Sequence, residues 1–371
     1  MHFIRRLKLI PLFPLLLVCI ISVFSLLMLY SLGGGSFFPW CFKQLCKFAV
    51  GAIGLAVAFY IKPDTWRKYA VAFYFLCLAM LVAVAVVGKI TMGAQRWLDF
   101  HFISFQPSEL MRIALIVILA KYFSYITTDD VKKTSSLLIP AILTFLPMGL
   151  VLMQPDLGTA MLLFFTFCVM LFVCGMQVWK FLIALLAAVV SMPFLWHMLH
   201  EYQRQRILMF FSPEMDPSGA GYHIIQSKIA LGSGGFWGRG FMNGTQGQLN
   251  FLPEKQTDFI LAALGEELGF FGCLLLLMLY AILIVYNLNV AIRAKGRFEQ
   301  LMVFGLNAMI FFYVFINISM VCGLLPVVGI PLPFFSYGGS ALTVLMFCQG
   351  LIFAVDAKDR QGGDTQLQIK K

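Results

Sequence analysis

Apolar residues run almost unbroken through most of this chain, and polar residues gather at a few places between the runs. Stretches such as Leu9–Leu32 and Val71–Val87 approach or exceed the ~18 apolar residues that mark a membrane-spanning candidate. Bounding the runs by charges and turn residues predicts about ten helices. They fall at 9–31, 43–62, 69–88, 106–125, 136–153, 157–175, 178–199, 258–289, 300–322 and 337–356. Lys43 and Lys47 stand at the start of the second, where they can snorkel to the interface.

Composition agrees. Hydrophobic residues make up 61% of the 371, and charged residues only 12%, half of the ~25% usual in a soluble domain. A membrane β-barrel would show ten-residue alternating segments, and none stand out. The expectation is an all-α polytopic membrane protein, a single integral membrane domain over residues 1–371. Arg5, Arg6 and Lys8 precede an apolar run too long for a signal peptide, which reads as a retained first helix. The net charge of +10 is assigned to loops that orient helices, rather than to nucleic acid. Most of the nine cysteines lie in apolar segments without a CxxC pair, which argues against disulfides or a metal cluster.

The basic loops set the orientation. Arg5, Arg6 and Lys8, then Lys62, Arg67 and Lys68, Lys132 and Lys133, Lys180, Arg293, Lys295 and Arg297, and Lys358 and Arg360 fall on one side. That predicts N-in and C-in, with Lys43, Lys47, Lys89 and Arg96 dissenting. Every even-numbered helix then begins at the outer surface. Gln106-Pro107-Ser108-Glu109 opens the fourth, Gln154-Pro155-Asp156 the sixth, Thr257-Asp258 the eighth and Phe335 through Ser340 the tenth. Four polar motifs thus meet at one face. Asp156 reads equally well as a helix cap. Glu109 and Arg112, one turn apart, neutralise each other or serve the site. The outer segment 89–105, with Trp97 and Phe100, reads as an interfacial or re-entrant piece.

Residues 200–257 form a large outer loop between the seventh and eighth helices. It carries Arg204, Arg206, Lys228, Arg239 and Lys255 among glycine clusters, a composition that suits a diphosphate or another anion. Ile224–Leu231 reads as a short amphipathic helix lying on the membrane surface. Gly232–Gly240 lacks the ending of a P-loop and follows no strand. The loop closes on Leu252-Pro253-Glu254-Lys255-Gln256-Thr257-Asp258, where water gives way to membrane, and Asp258 is the candidate catalytic base. Below it Ala262, Gly265 and Gly269 form a seam of small residues, either a close helix contact or a groove for a lipid tail.

These residues together resemble a family. Gly93 through Trp97, Gln106 through Leu110, Gln154 through Ala160, Tyr202 through Ile207, Gly221 through Ser227, Gly244-Thr245-Gln246, Phe251 through Phe259 and Leu332 through Ser340 are similar, in order, to the SEDS proteins (shape, elongation, division and sporulation), and among them to the RodA type. The resemblance implies the SEDS fold and a peptidoglycan glycosyltransferase that polymerises lipid II at the outer face of the bacterial inner membrane during elongation. It implies an undecaprenyl-diphosphate-linked glycan strand, a class B penicillin-binding protein as partner, and Asp258 as the essential acid. Arg112 departs from the lysine more usual there. The substrate-binding candidates are Glu109, Arg112, Asp156, Arg204, Arg206, Lys228, Arg239, Glu254, Lys255, Gln256, Thr257 and Ser336. The basic loop residues would stabilise the leaving diphosphate with or without a divalent cation, Mg or Mn, and no organic cofactor is expected. Two alternatives stay open: a lipid II flippase or transporter, and a polymerase of the division or sporulation branch.

Overall fold

The computed structural model describes residues 9–91, 94–99, 104–198, 204, 208, 220–249, 251–252 and 254–369. A helix occupies each of the ten intervals. They are α1 (Leu12–Leu32), α2 (Trp40–Tyr60), α3 (Pro63–Val87), α4 (Pro107–Ser124), α5 (Leu138–Met153), α6 (Leu157–Val173) and α7 (Val178–Met198), then α9 (Ile260–Arg293), α10 (Arg297–Val321) and α11 (Ser340–Ile369). Between α7 and α9 lies α8 (Ala220–Ser233). Seven helices among the described residues are long and apolar enough to cross a membrane: α1, α2, α3, α9, α10, α11 and the stretch Thr134–Met153 that contains α5. Among the described residues the fold is predominantly helical, with one exception. Segment 89–105 carries an antiparallel sheet in the order β1 (Lys89–Thr91), β2 (Ala94–Asp99), β3 (Ser104–Phe105), pairing Lys89 with Trp97 and Leu98 with Phe105. Strands of two to six residues leave little periodicity to read.

The centre is built from α4, α10 and α11. Nearly every α4 side chain from Pro107 to Ala120 is buried, which explains why that helix carries Glu109 and Arg112 without exposing them to lipid. Small residues let α2 and α11 approach closely. A Cβ on Gly51 would lie 3.0 Å from Met346, and one on Gly350 would meet the Leu55 carbonyl. In the middle of the bundle Asn287 of α9 and Gln349 of α11 exchange amide hydrogen bonds of 3.2 and 2.9 Å. At one end of the bundle Lys358 bridges Asp64 (3.0 Å) and Glu299 (2.6 Å), and Arg67 lies over the Tyr125 ring. The starts of α4, α6 and α11 lie at the other end.

The long loop is folded onto the bundle. Ile224, Ser227 and Ala230 of α8 are buried, and Ser227 Oγ donates to the Val321 carbonyl at 2.8 Å. The buried face of the helix therefore rests on protein. Farther on, α9 breaks at Gly269 (φ 65°, ψ −162°). A broken helix leaves backbone groups without partners, and residues 235–240 supply them. Arg239 and Gly240 donate their N–H groups to the carbonyls of Glu266 and Glu267 (3.0 and 2.9 Å), while Phe270 and Phe271 donate to Gly235 and Phe236 (3.0 and 3.2 Å). Gly234 and Gly238 lie so close that a Cβ would collide with the Gly265 and Glu267 carbonyls. Leu231 packs on Gly265 as well. The seam of small residues is thus a backbone contact filled by the loop, and the lipid-groove reading of it is overturned.

This contact makes a stability prediction. Gly235 and Gly238 both have positive φ (55° and 81°), but only Gly238 lacks room for a side chain. Gly235→Ala should cost about 1–2 kcal/mol, the ordinary strain of that conformation, and Gly238→Ala clearly more. Thermal unfolding of the purified protein in detergent measures both, and equal losses would contradict the packing described.

Candidate active site

At the end of the bundle where α4, α6 and α11 begin, a cavity of ≈ 360 Å³ opens. Its walls come from eight places in the sequence. Lys47 of α2, Arg96 and Trp97 of β2, and Gln106, Glu109 and Arg112 of α4 form one part. Asp156, Thr159 and Leu162 of α6, with Thr257 and Asp258 before α9, form another. Tyr313 of α10, Gly329 to Pro331, and Tyr337 to Ala341 complete it.

The charged groups are held individually. Arg112 forms an ion pair of 2.5 Å with Glu109, and both side chains are buried. Tyr313 donates its hydroxyl to Glu109 Oε2 at 3.2 Å and lies under the Arg112 guanidinium, 5.0 Å from the ring centroid. Asp156 caps α6: its carboxylate accepts from Thr159 N at 3.1 Å, Thr159 Oγ1 at 2.9 Å and Gln106 Nε2 at 3.1 Å. Both readings of Asp156, cap and cavity wall, therefore describe the same side chain. Arg96 donates Nε to the Gln154 carbonyl at 3.0 Å and Nη2 to the Pro155 carbonyl.

Asp258 is half-buried, on a turn two residues before α9. Its backbone is clamped from below. The buried Asn317 side chain of α10 donates Nδ2 to the Asp258 carbonyl (3.0 Å) and to the Ile330 carbonyl (2.8 Å), tying two walls of the cavity together. The Gly329 backbone (φ 71°) runs beside the carboxylate, and a Cβ there would lie 3.5 Å from Asp258 Oδ2. Ahead of it, Thr257 Oγ1 donates to the Glu254 carbonyl and to Glu254 Oε2, each at 3.1 Å. The arrangement offers a carboxylate, a buried ion pair and two further cations around one space large enough for part of a sugar–phosphate.

Known proteins resemble this chain in sequence and in fold. The family model FtsW/RodA/SpoVE, described as a cell cycle protein, matches residues 5–361. The chain belongs to this family. It is 44% identical over 92% of both chains to the peptidoglycan glycosyltransferase MrdB of Escherichia coli K12. To the probable peptidoglycan glycosyltransferase FtsW of Trichlorobacter lovleyi it is 35% identical, again over 92% of each. Its fold matches a chain of a peptidoglycan synthase complex that coordinates polymerization and crosslinking, with a TM-score of 0.80 and 28% identity over 95% of this chain and 99% of the other. It also matches the rod shape determining protein RodA of Thermus thermophilus, with a TM-score of 0.69 and 25% identity over 94% and 96%.

Within this FtsW/RodA/SpoVE chain, the cavity brings together five of the sequence candidates: Glu109, Arg112, Asp156, Thr257 and Asp258. The others stand apart. Ser336 is buried, its Oγ accepting from Leu332 N at 2.8 Å, and it shapes the loop behind Tyr337. Glu254 and Gln256 frame the turn, Gln256 through its carbonyl, which accepts from Tyr337 N at 2.8 Å. Lys255 is buried; its Nζ donates to the Gly247 carbonyl at 2.5 Å and lies 5.4 Å from the Trp40 ring centroid, and burial pushes its pKa down. Arg239 pairs with Glu266 at 3.5 Å. Lys228 lies along Gly323 at the end of α10. Arg204 donates to the Trp196 and His197 carbonyls of α7 (2.9 and 3.0 Å). Arg206 and Phe100 lie outside the described residues.

Lys47, Arg96 and Tyr313 line the cavity without having been singled out as candidates, and neither was Asn317 beneath them. Each had a signal. Lys47 is a charge inside an apolar helix, and Arg96 breaks the charge rule for its loop. Tyr313 and Asn317 are polar residues one turn apart in an apolar run. The described residues hold no cluster of three His, Cys, Asp or Glu side chains suited to a metal. Glu109 and Asp156 are already committed to other partners, so this donor set does not fit a divalent ion held by protein alone.

The buried ion pair sets the next prediction. Arg112→Met strands Glu109 and should destabilise the protein by about 3–5 kcal/mol, whereas the double variant Glu109→Gln/Arg112→Met should recover much of that loss. Thermal unfolding of the native protein, each single variant and the double variant checks it, and additive losses would contradict the pairing.

Proposed function

We propose that this chain is a peptidoglycan glycosyltransferase of the RodA type, polymerising lipid II with Asp258 as the base. The observation that carries the reading is the Asp258 carboxylate on the wall of a cavity shared with Lys47, Arg96 and the Glu109–Arg112 pair. A sugar hydroxyl of the acceptor attacks the anomeric carbon of the lipid-diphosphate-linked strand. Its proton passes to the Asp258 carboxylate as the new glycosidic bond forms, and the bond to the diphosphate breaks with the electron pair leaving on that group. The anomeric centre inverts. A diphosphate leaves without prior protonation, so one carboxylate suffices, in contrast to the pair that glycoside hydrolysis uses. Cations in the cavity counter the charge that grows on the leaving oxygen.

The names of the relatives favour polymerisation over flipping, and the match to a rod shape determining protein favours the elongation branch. The cavity is assigned to the outer face of the inner membrane. Support comes from the opposite end of the bundle, where Lys62, Arg67, Lys132, Lys180, Arg293 and Lys358 gather as cytoplasmic loops do. The crosslinking partner of the matched synthase complex supports a transpeptidase, here a class B penicillin-binding protein, beside this chain.

The test is polymerisation of lipid II by the purified protein, with its partner transpeptidase. Asp258→Asn should retain the fold and lipid II binding while glycan synthesis falls at least 100-fold, the low end of what a positioned base contributes, about 10²–10⁴-fold. Polymer made by Asp258→Asn at the native rate would remove Asp258 from the chemistry.

A further inference from the structure

Three cations border the cavity, and protein oxygens engage two of them. Arg112 is paired with Glu109. Arg96 is bound to two backbone carbonyls. Lys47 differs. On the second turn of α2 and half-buried, its Nζ stands 3.4 Å from the centroid of the Tyr337 ring. Among the described residues it makes no hydrogen bond and no ion pair. An ammonium carries three N–H donors, and a ring face attracts the charge while satisfying none of them in the way an oxygen does. A charge inside an apolar helix is expensive, and here the cost brings no protein ion pair.

The surroundings hold the ammonium in place. Gln44, one turn earlier on α2, donates Nε2 to the Ser336 carbonyl at 3.2 Å and accepts from Gly338 N at 3.4 Å, fixing the loop on both sides of Tyr337. Tyr337 N in turn donates to the Gln256 carbonyl, two residues before Asp258. The ring under Lys47 is therefore hydrogen-bonded through its backbone to the turn that carries the candidate base. A cation on a fixed platform, with its donors uncommitted and its tip in a cavity, is built to receive an anion with several oxygens.

We propose that Lys47 binds the diphosphate of the lipid-linked substrate. The assignment rests on the glycosyltransferase reading for the identity of the anion and on the geometry above for the site. It moves the diphosphate contact from the basic loop to α2, since Lys255 is buried against Gly247, Arg239 pairs with Glu266 and Lys228 lies along Gly323, all three outside the cavity lining.

The experiment measures equilibrium binding of undecaprenyl diphosphate to the full-length protein in phosphatidylcholine nanodiscs, alongside lipid II polymerisation. Lys47→Met should weaken binding and raise KM about tenfold or more, as expected for loss of one charge-assisted hydrogen bond, with a smaller change in kcat. Lys47→Arg should restore most of the affinity. Lys43→Met, one turn away and outside the cavity, should bind as the native protein does. Unchanged affinity in a folded Lys47→Met protein would overturn the proposal. So would equal competition by phosphatidylglycerol, which would make the ligand a bulk lipid headgroup. Native protein that binds undecaprenyl diphosphate through Lys47 yet makes no glycan would overturn the reaction and leave this site standing.

Discussion

Glu266 is the group on which the architecture of the site depends. It lies fully buried in α9, just before the break at Gly269, and its carboxylate accepts from the backbone amides of Thr245, Gln246 and Gly247 and from the Thr245 hydroxyl, at 2.8–3.3 Å. Arg239 pairs with it, and the neighbouring Glu267 accepts from Ser31 Oγ (2.5 Å) and Met242 N (3.2 Å). A buried carboxylate without such partners would cost several kcal/mol. With them, residues 239–247 are pinned to the bundle. Gly247 then accepts from Lys255 and Gln246 from Leu252 N, so the turn ending in Asp258 is suspended from a carboxylate deep in α9.

That order of dependence explains why the polar loop is not loose. Its glycines let its backbone lie against the backbone of α9, Lys255 turns inward to the Gly247 carbonyl, and the exposed Arg239 reaches back to the buried Glu266. What is left facing the cavity comes mostly from helix starts. Helix starts suit the task, because their backbone ends are polar at the depth where the apolar bundle gives way to water. Glu109 and Arg112 can be carried into the bundle because they neutralise each other over the Tyr313 ring.

Much of this was legible in the sequence, for physical reasons. Apolar runs are long in a membrane protein, so the ten helical intervals and the polar motifs at the starts of α4, α6, α9 and α11 stood out. Parity alone put Glu109, Asp156 and Asp258 at one end. What stayed hidden depends on tertiary contact. No periodicity shows that Lys255 turns toward Gly247, that Gly238 lies against Glu267, or that the seam at Gly265 is filled. The composition of residues 200–257 suggested an anion site because exposed and inward-facing cations read alike. Lys47 was visible only as an exception to the charge rule, and exceptions of that kind carry information when the residue faces a cavity.

The central claim is that chemistry takes place in the cavity between Asp258, Lys47 and the Glu109–Arg112 pair, and not on the basic loop. A structure of the full chain with a non-transferable lipid II analogue tests it most directly. The sugar–diphosphate should lie inside the cavity, with its reacting carbon facing Asp258. A head group bound instead over Lys228 and Arg239, with the cavity left to water, would contradict it.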